Sequence, residues 1–551
     1  MPSSIEKIVR YRVWLSVVVL AVSVGFLAAA GFAGPTQKKG GTLRIARPRD
    51  VDSVDPALAY VYDSYGMIEW ATCAKLYNYP DKPPPQGVIA VPEVATALPN
   101  VSNDGKTETI KLRRTYRFNT GARVTAANFV AAFNRDANPA MKSPATQYLH
   151  EIVGADAVMN GQAQTISGVR ALGPYMLRIR TTRRLPDLVA RLTMPFFCPI
   201  AVNTPLQEID DPLGSGPYYV ASRVPGRQVV LKRNRFYRGP RPANVDQAVW
   251  TIMGREACRV AVEQNLEDYC GGLGIPSEDY AQVAGKYGIN KKNGQFFVNP
   301  FLTTDYFAFN HDRPAFKGLG QIPLKQAINW AIDRRALVDA AGYLGGKPTD
   351  HILPPAIARN ASIYPLGGVT ERRLAKARAL LAKAKLKPRR LVLYTANFDP
   401  YPAQARIFQF NLKRLGIDVE IEYFPADVFF QKISTRGEPF DVALYSSELD
   451  YADPDVYFTA LNGAVLRKVG NYLNVSYFDR ARYNRAIARI ERLGGLARRR
   501  AFARLDVNMM RNDPPYAPFM VEERRDLISK SFGCFIFNPV NLFDVAAACK
   551  K

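Results

Sequence analysis

Four carboxylates, Glu448, Asp450, Asp453 and Asp455, fall within eight positions in a chain whose charge is otherwise strongly positive. The stretch that carries them reads FDVALYSSELDYADPDVYF, from Phe440 to Phe458. Phe440, Val442 and Leu444 alternate with other residues, which predicts a short buried strand over 441–446 ending at a surface. Pro454 cannot continue a ladder, so the acids sit on a loop that then opens a helix. Asp453 before Pro454 makes a good N-cap and N1 pair, and Asp455 suits a first helical turn. A cap has no need of Asp450. Its structural role would be a fixed ion pair with one of the many arginines.

Rival chemistry finds little support. The chain has three histidines, His150, His311 and His351, and no C-x-x-C, so no metal and no cofactor is expected. No G-x-S-x-G or H-E-x-x-H is present, and no histidine stands in a recognisable triad setting. Gly214-Ser215-Gly216 resembles a phosphate loop only in its spacing, since a strand-like run, Tyr218 to Val220, follows instead of a helix with G-K-[ST]. A net charge of +25, from 74 Lys and Arg against 49 Asp and Glu, would suit an anionic partner. The arginines are spread over amphipathic helices, such as Arg480, Arg482, Arg485, Arg489, Arg492 and Arg498 to Arg500, which is the pattern of solvated helix faces and speaks against nucleic acid.

Length and composition place these residues in a large exported protein. The 551 residues are too many for one core and imply about three domains or subdomains. Lys7, Arg10 and Arg12 precede an apolar run over 13–33 that ends in small residues, the form of a secretory signal peptide or, if uncleaved, of an anchor. No cysteine lies near the cleavage region, so a lipid anchor is not expected. Without residues 1–33, which hold those three bases and Glu6, the net charge is +23. All six cysteines lie in the exported part, where an even count favours disulfides. Many connectivities are possible. The close pairs Cys258 with Cys270 and Cys534 with Cys549 are preferred, each worth about 3 kcal/mol, which leaves Cys73 with Cys198.

The elements that must position the acids can be read in order. Gly40-Gly41-Thr42-Leu43-Arg44-Ile45-Ala46 predicts a strand, and Asp50 to Pro56 the loop leaving it. Ser102-Asn103-Asp104-Gly105-Lys106-Thr107 predicts a hairpin turn, and Thr125 an N-cap before the stripe Phe129, Val130 and Phe133. Strands follow over 175–181 and from Tyr218. Later come a helix over 324–341, then alternation: helix 371–384, strand 391–395, helix 403–415, strand 417–423. Helices over about 477–493 and 496–511 precede Pro514-Pro515-Tyr516-Ala517-Pro518-Phe519.

Asp450-Tyr451-Ala452-Asp453-Pro454 resembles the D-Y-x-D-P segment of the extracytoplasmic solute-binding proteins of ABC importers, in the family of the oligopeptide, dipeptide and nickel receptors. GGTLRIA, the segment Ser102 to Leu112, Gly214-Ser215-Gly216-Pro217-Tyr218, Lys325 to Arg334 and Gly416-Ile417-Asp418-Val419 are similar to that family's other segments, in its order. The resemblance implies an α/β, two-lobed periplasmic-binding-protein-like fold with an accessory subdomain and a cleft between lobes joined by hinge strands. It divides the chain into lobe 1 (34–80, 199–300 and 512–551), the accessory subdomain (81–198) and lobe 2 (301–511). It also implies a receptor in the periplasm or outside the cell, monomeric and not an enzyme, that encloses a peptide or peptide-like, possibly cationic solute. Delivery would be to an ABC permease and its ATPase, with membrane association through the permease or an uncleaved N-terminus.

By that resemblance Asp450 would pair with the ligand's ammonium, and the loop 50–56, with Asp55, would line the cleft; Ser447 is expected there too, and Tyr451, Tyr445, Tyr60, Tyr62, Tyr218 and Tyr306 would serve either as aromatic surface to the ligand or as core and hinge packing. The family's Gly-Trp before the Asp is replaced by Ser446-Ser447, which widens or hydrates that wall. The alternatives are an envelope sensor or chaperone with this fold and no transport role, and a secreted hydrolase.

Overall fold

The computed structural model describes residues 39–551 apart from 61–62, 448, 467–470 and 472–473, so the leader at 1–33, Tyr62 and Glu448 lie outside the described residues. One mixed sheet of eleven strands organises the chain. Near its middle run two long antiparallel strands, Phe296–Phe309 and Tyr516–Ile528. Beyond the second come Tyr269–Gly271, Thr42–Arg47, Gln247–Ile252, Gln228–Arg233 and Tyr218–Val224. Beyond the first come Val442–Ser447, Arg390–Ala396 and Asp418–Phe424, while Gly346–Pro348 pairs with Tyr516–Ile528. The two long strands therefore belong to both halves, and their register slips between Pro300 and Thr304 and again between Asp305 and Tyr306. Such irregularities bend a strand pair locally.

Each half buries its own core. In the first, Leu43, Ile45, Val229, Leu231 and Trp250 are buried from solvent. Gly216 enters its strand where an added Cβ would lie 2.6 Å from the Ala71 carbonyl oxygen, so the turn admits no side chain. In the second, helices flank the sheet. Phe307 stacks on Phe408 of the helix Tyr401–Lys413 on one face, and Phe440, Phe458 and Phe502 fill the other. The helix expected over 324–341 is two helices, Ile322–Ala331 and Arg334–Asp339. The break follows from Asp333, whose carboxylate caps Ala336 N, and from Arg334, whose buried guanidinium donates to carbonyls of Asn329, Thr349, Pro365 and Pro518.

A separate four-stranded antiparallel sheet, Asn100–Val101, Thr107–Lys111, Met176–Arg180 and Val169–Ala171, packs on the helix Ala126–Ala137. The Asp104-Gly105 turn joins its first two strands, with Gly105 at φ 71°. Tyr451 reaches into this subdomain's core from the far half of the sequence, and Trp70, Tyr79 and Val88 pack into the second half's core. The halves therefore meet face to face. All three expected disulfides form, Cys73–Cys198, Cys258–Cys270 and Cys534–Cys549. Among the described residues no helix is long and apolar enough to cross a membrane.

Candidate functional site

The strand Val442–Ser447 delivers its following loop to the meeting place of the halves, and Asp450 is the residue that faces it. Its carboxylate Oδ2 accepts hydrogen bonds from Tyr148 and, at 3.3 Å, from Tyr60, while its backbone oxygen accepts one from Tyr65 at 2.8 Å. Phe196 binds this wall together, its ring 5.5 Å from Tyr65, 5.9 Å from Tyr60 and 6.3 Å from Tyr148. Tyr60 stays 42% exposed, so the wall is open to solvent on one side. Burial pushes the Asp450 carboxyl up to about 6, against the lowering effect of the Tyr148 and Tyr60 hydroxyls. No lysine or arginine pairs with it among the described residues. The fixed ion pair weighed from sequence is thus not formed among the described residues.

The neighbouring acids do structural work. Asp453 takes Arg498 at 2.7 Å on both oxygens and accepts Asp455 N at 2.8 Å, so it is at once an ion-pair partner and the cap of the helix Asp455–Thr459. Asp455 lies 3.5 Å from the same guanidinium. Tyr451, fully buried, donates its hydroxyl to Asp187 at 2.8 Å, and Asp187 pairs with Arg191 at 2.7 Å. Burial opposes that charge, yet Arg191 holds the Asp187 carboxyl below the usual carboxylate range. Further links join the same surfaces: Arg183 to Glu491 at 3.3 Å, Ala452 N to the Tyr79 hydroxyl at 2.9 Å, and Arg499 to the Val88 carbonyl at 2.8 Å. Among the described residues, Asp450 therefore lacks a cation while Asp453, Asp455 and Asp187 each have one.

Of the residues expected here, Asp450, Tyr451 and Tyr60 come together. Tyr445, Ser447 and Tyr306 form a neighbouring group on the strands leading in: Tyr306 hydrogen-bonds Ser447 Oγ at 2.7 Å, lies 5.8 Å from Tyr445 and stacks on Tyr516 at 4.0 Å. Tyr306 is buried, whereas Tyr445 and Ser447 are half-buried. Asp55 and Tyr218 are placed elsewhere. Asp55 is fully buried and gripped by both guanidinium nitrogens of Arg135 at 2.7 and 2.6 Å, with Ala57 N and Ile209 N on its remaining lone pairs. Tyr218 lies in the first half's core and donates to the Val245 carbonyl at 2.9 Å. Both are saturated inside packed structure and braced away from the wall. Tyr65, Tyr148 and Phe196 are the residues that sequence reasoning missed. Tyr65 follows closely on the loop expected to line the cleft, which was a usable signal; Tyr148 and Phe196 carry none.

A sheet shared by two halves that meet at one polar patch is the architecture of a two-lobed binding protein. The model of the bacterial extracellular solute-binding proteins, family 5, matches residues 90–465, more than half of the chain. The chain belongs to that family. It is 25% identical over 443 residues to the periplasmic murein peptide-binding protein MppA of Escherichia coli (strain K12), covering 78% of this chain and 79% of that one. To the periplasmic oligopeptide-binding protein OppA of Haemophilus influenzae it is 22% identical over 395 residues, covering 68% and 71%. Among solved structures, the clavulanic acid biosynthesis oligopeptide binding protein 2 superposes with a TM-score of 0.82 at 21% identity, covering 94% of this chain and 96% of that one.

Proposed function

We propose that this chain receives a short peptide or peptide-like solute with a free ammonium group, encloses it between its lobes at Asp450, and passes it to an ABC import permease without changing it chemically. The carrying observation is the carboxylate of Asp450, held by Tyr60 and Tyr148 and lacking a cation among the described residues of a chain with a large excess of arginine. An ammonium group would supply that missing charge and add donors to the carboxylate. Relatives that carry murein peptide or oligopeptide binding in their names bind molecules of this type. The lobes of this reading are 34–80, 199–300 and 512–551 for the first, with 81–198 as its accessory part, and 301–511 for the second.

The histidines have partners other than a nucleophile. His150 faces Asp156, His311 faces Lys325 and the Ser476 carbonyl, and His351 faces Asp506 and the Ala361 carbonyl; none has a serine or cysteine side chain as partner among the described residues. Titration calorimetry with a small set of tripeptides and their N-acetylated twins tests the reading. Tight binding of free peptides and at least tenfold weaker binding of acetylated ones is expected. Equal binding of both would remove Asp450 as the ammonium anchor, and a hydrolysed peptide recovered from the cell would restore the hydrolase.

A further inference from the structure

The corner between the helices Ala481–Ile490 and Gly495–Asn512 carries two features that solute binding between lobes does not use. The first is apolar. Leu493 and Leu496, on either side of Gly494-Gly495, are 39% and 60% exposed. Beside them a groove of about 360 Å³ runs between the helices, floored by Ile490, Leu493, Ala501 and Leu505 and flanked by Arg489 and Arg504. The second is charge. Arg485, Arg489, Arg492, Arg500 and Arg504 are all exposed, and none forms an ion pair among the described residues. Glu491, the acid between them in sequence, is taken by Arg183 at 3.3 Å. Arg498 on the longer helix is buried against Asp453, so this surface is distinct from the Asp450 wall.

Exposed leucines are unfavourable in water, and Arg489 and Arg504, unpaired among the described residues on the two sides of one groove, repel one another. A surface that is anionic outside and apolar just beneath relieves both. We propose that this corner docks on an anionic phospholipid bilayer: the guanidinium groups hold lipid phosphates, Leu493 and Leu496 enter the acyl boundary, and the groove receives part of one acyl chain. Arginine suits the task because its planar fork grips phosphate oxygens in pairs. Apolar residues flanked by basic ones are also the composition by which helices lie on anionic membranes. An acidic segment of a partner protein would satisfy the arginines and leave the two leucines unexplained, so the bilayer is the better fit.

Sedimentation of the exported, purified chain with vesicles tests this, using phosphatidylcholine alone and phosphatidylcholine with about one third phosphatidylglycerol. Binding is expected only with the anionic vesicles, and it should fall steeply with added salt. The double variant Arg489→Gln, Arg504→Gln should lose roughly twenty-fold in partitioning, and Leu493→Ser, Leu496→Ser roughly tenfold. Both should melt like the wild type and bind the solute unchanged, which separates this surface from the Asp450 site. Equal binding to neutral vesicles would overturn the proposal, as would wild-type partitioning by both variants, which would assign the effect to the diffuse positive charge elsewhere. Binding of a soluble peptide of alternating Glu and Leu, with no binding to either vesicle, would replace the bilayer with an acidic protein partner.

Discussion

Among the described residues Asp450 has no partner cation, whereas its neighbours Asp453, Asp455 and Asp187 do. Replacing it by Asn keeps the shape and the tyrosine contacts but removes the charge, so solute affinity should fall by about 2 kcal/mol in calorimetry. Its burial-raised carboxyl, at about 6, adds a pH dependence. A ligand ammonium pairs only with the ionised form, so affinity should hold above pH 6 and fall as pH drops through and below it, up to tenfold per unit. For stability the sign is opposite. The folded state binds this proton more tightly than the unfolded chain does, so ionising Asp450 between its ordinary range and about pH 6 weakens folding. The Asn variant should therefore melt at or slightly above the wild-type temperature at pH 7. A melting point several degrees lower would make Asp450 a structural residue. By contrast, Arg498→Met strands Asp453 and Asp455 in the interior and should cost about 3 to 5 kcal/mol, measured by denaturant unfolding.

At the scale of elements, the strand Val442–Ser447 and its loop were legible because alternation and Pro454 are local signals. The same holds for the Asp104-Gly105 hairpin and the α/β alternation of 371–424. The break at Ile332 was not, since the apolar residues Leu324, Ile328, Ala331 and Leu337 run on across it; the Asp333 cap and the carbonyls gathered by the buried Arg334 make it. The aromatic wall was half legible. Tyr60 stands near a loop that the family resemblance marks, whereas Tyr148 and Phe196 read as ordinary core aromatics and reach Asp450 only through the fold. Asp55 misled for the converse reason: its conspicuous loop position is explained by Arg135, 80 residues away. One element-level test concerns the buried hydroxyl that links the halves. Tyr451→Phe removes the bond to Asp187 and should weaken solute binding by about 1 kcal/mol while Asp187 keeps Arg191. Unchanged affinity would exclude this contact from closure.

Across the whole molecule, two long strands shared by both halves, with slipped registers between Pro300 and Tyr306, form the connection about which the lobes would hinge. The contacts of Tyr451, Arg183 and Arg499 on the opposite half are those that opening must break. Small-angle scattering should show the radius of gyration fall when a bound peptide closes the cleft; an unchanged radius would mean that the halves do not move. The disulfides fix parts rather than the whole. Cys73–Cys198 closes the longest loop, with a separation of 125 residues, and its loss should cost about 5 kcal/mol against about 3 for either short bridge.

The most direct measurement is calorimetry of one tripeptide, free and N-acetylated, against the wild type and the Asp450→Asn variant as a double cycle. A coupling of about 2 kcal/mol between the ligand's ammonium and the Asp450 carboxylate is predicted, with acetylation costing little in the variant. Independent, additive losses would contradict the pairing and place the ammonium group elsewhere in the cleft.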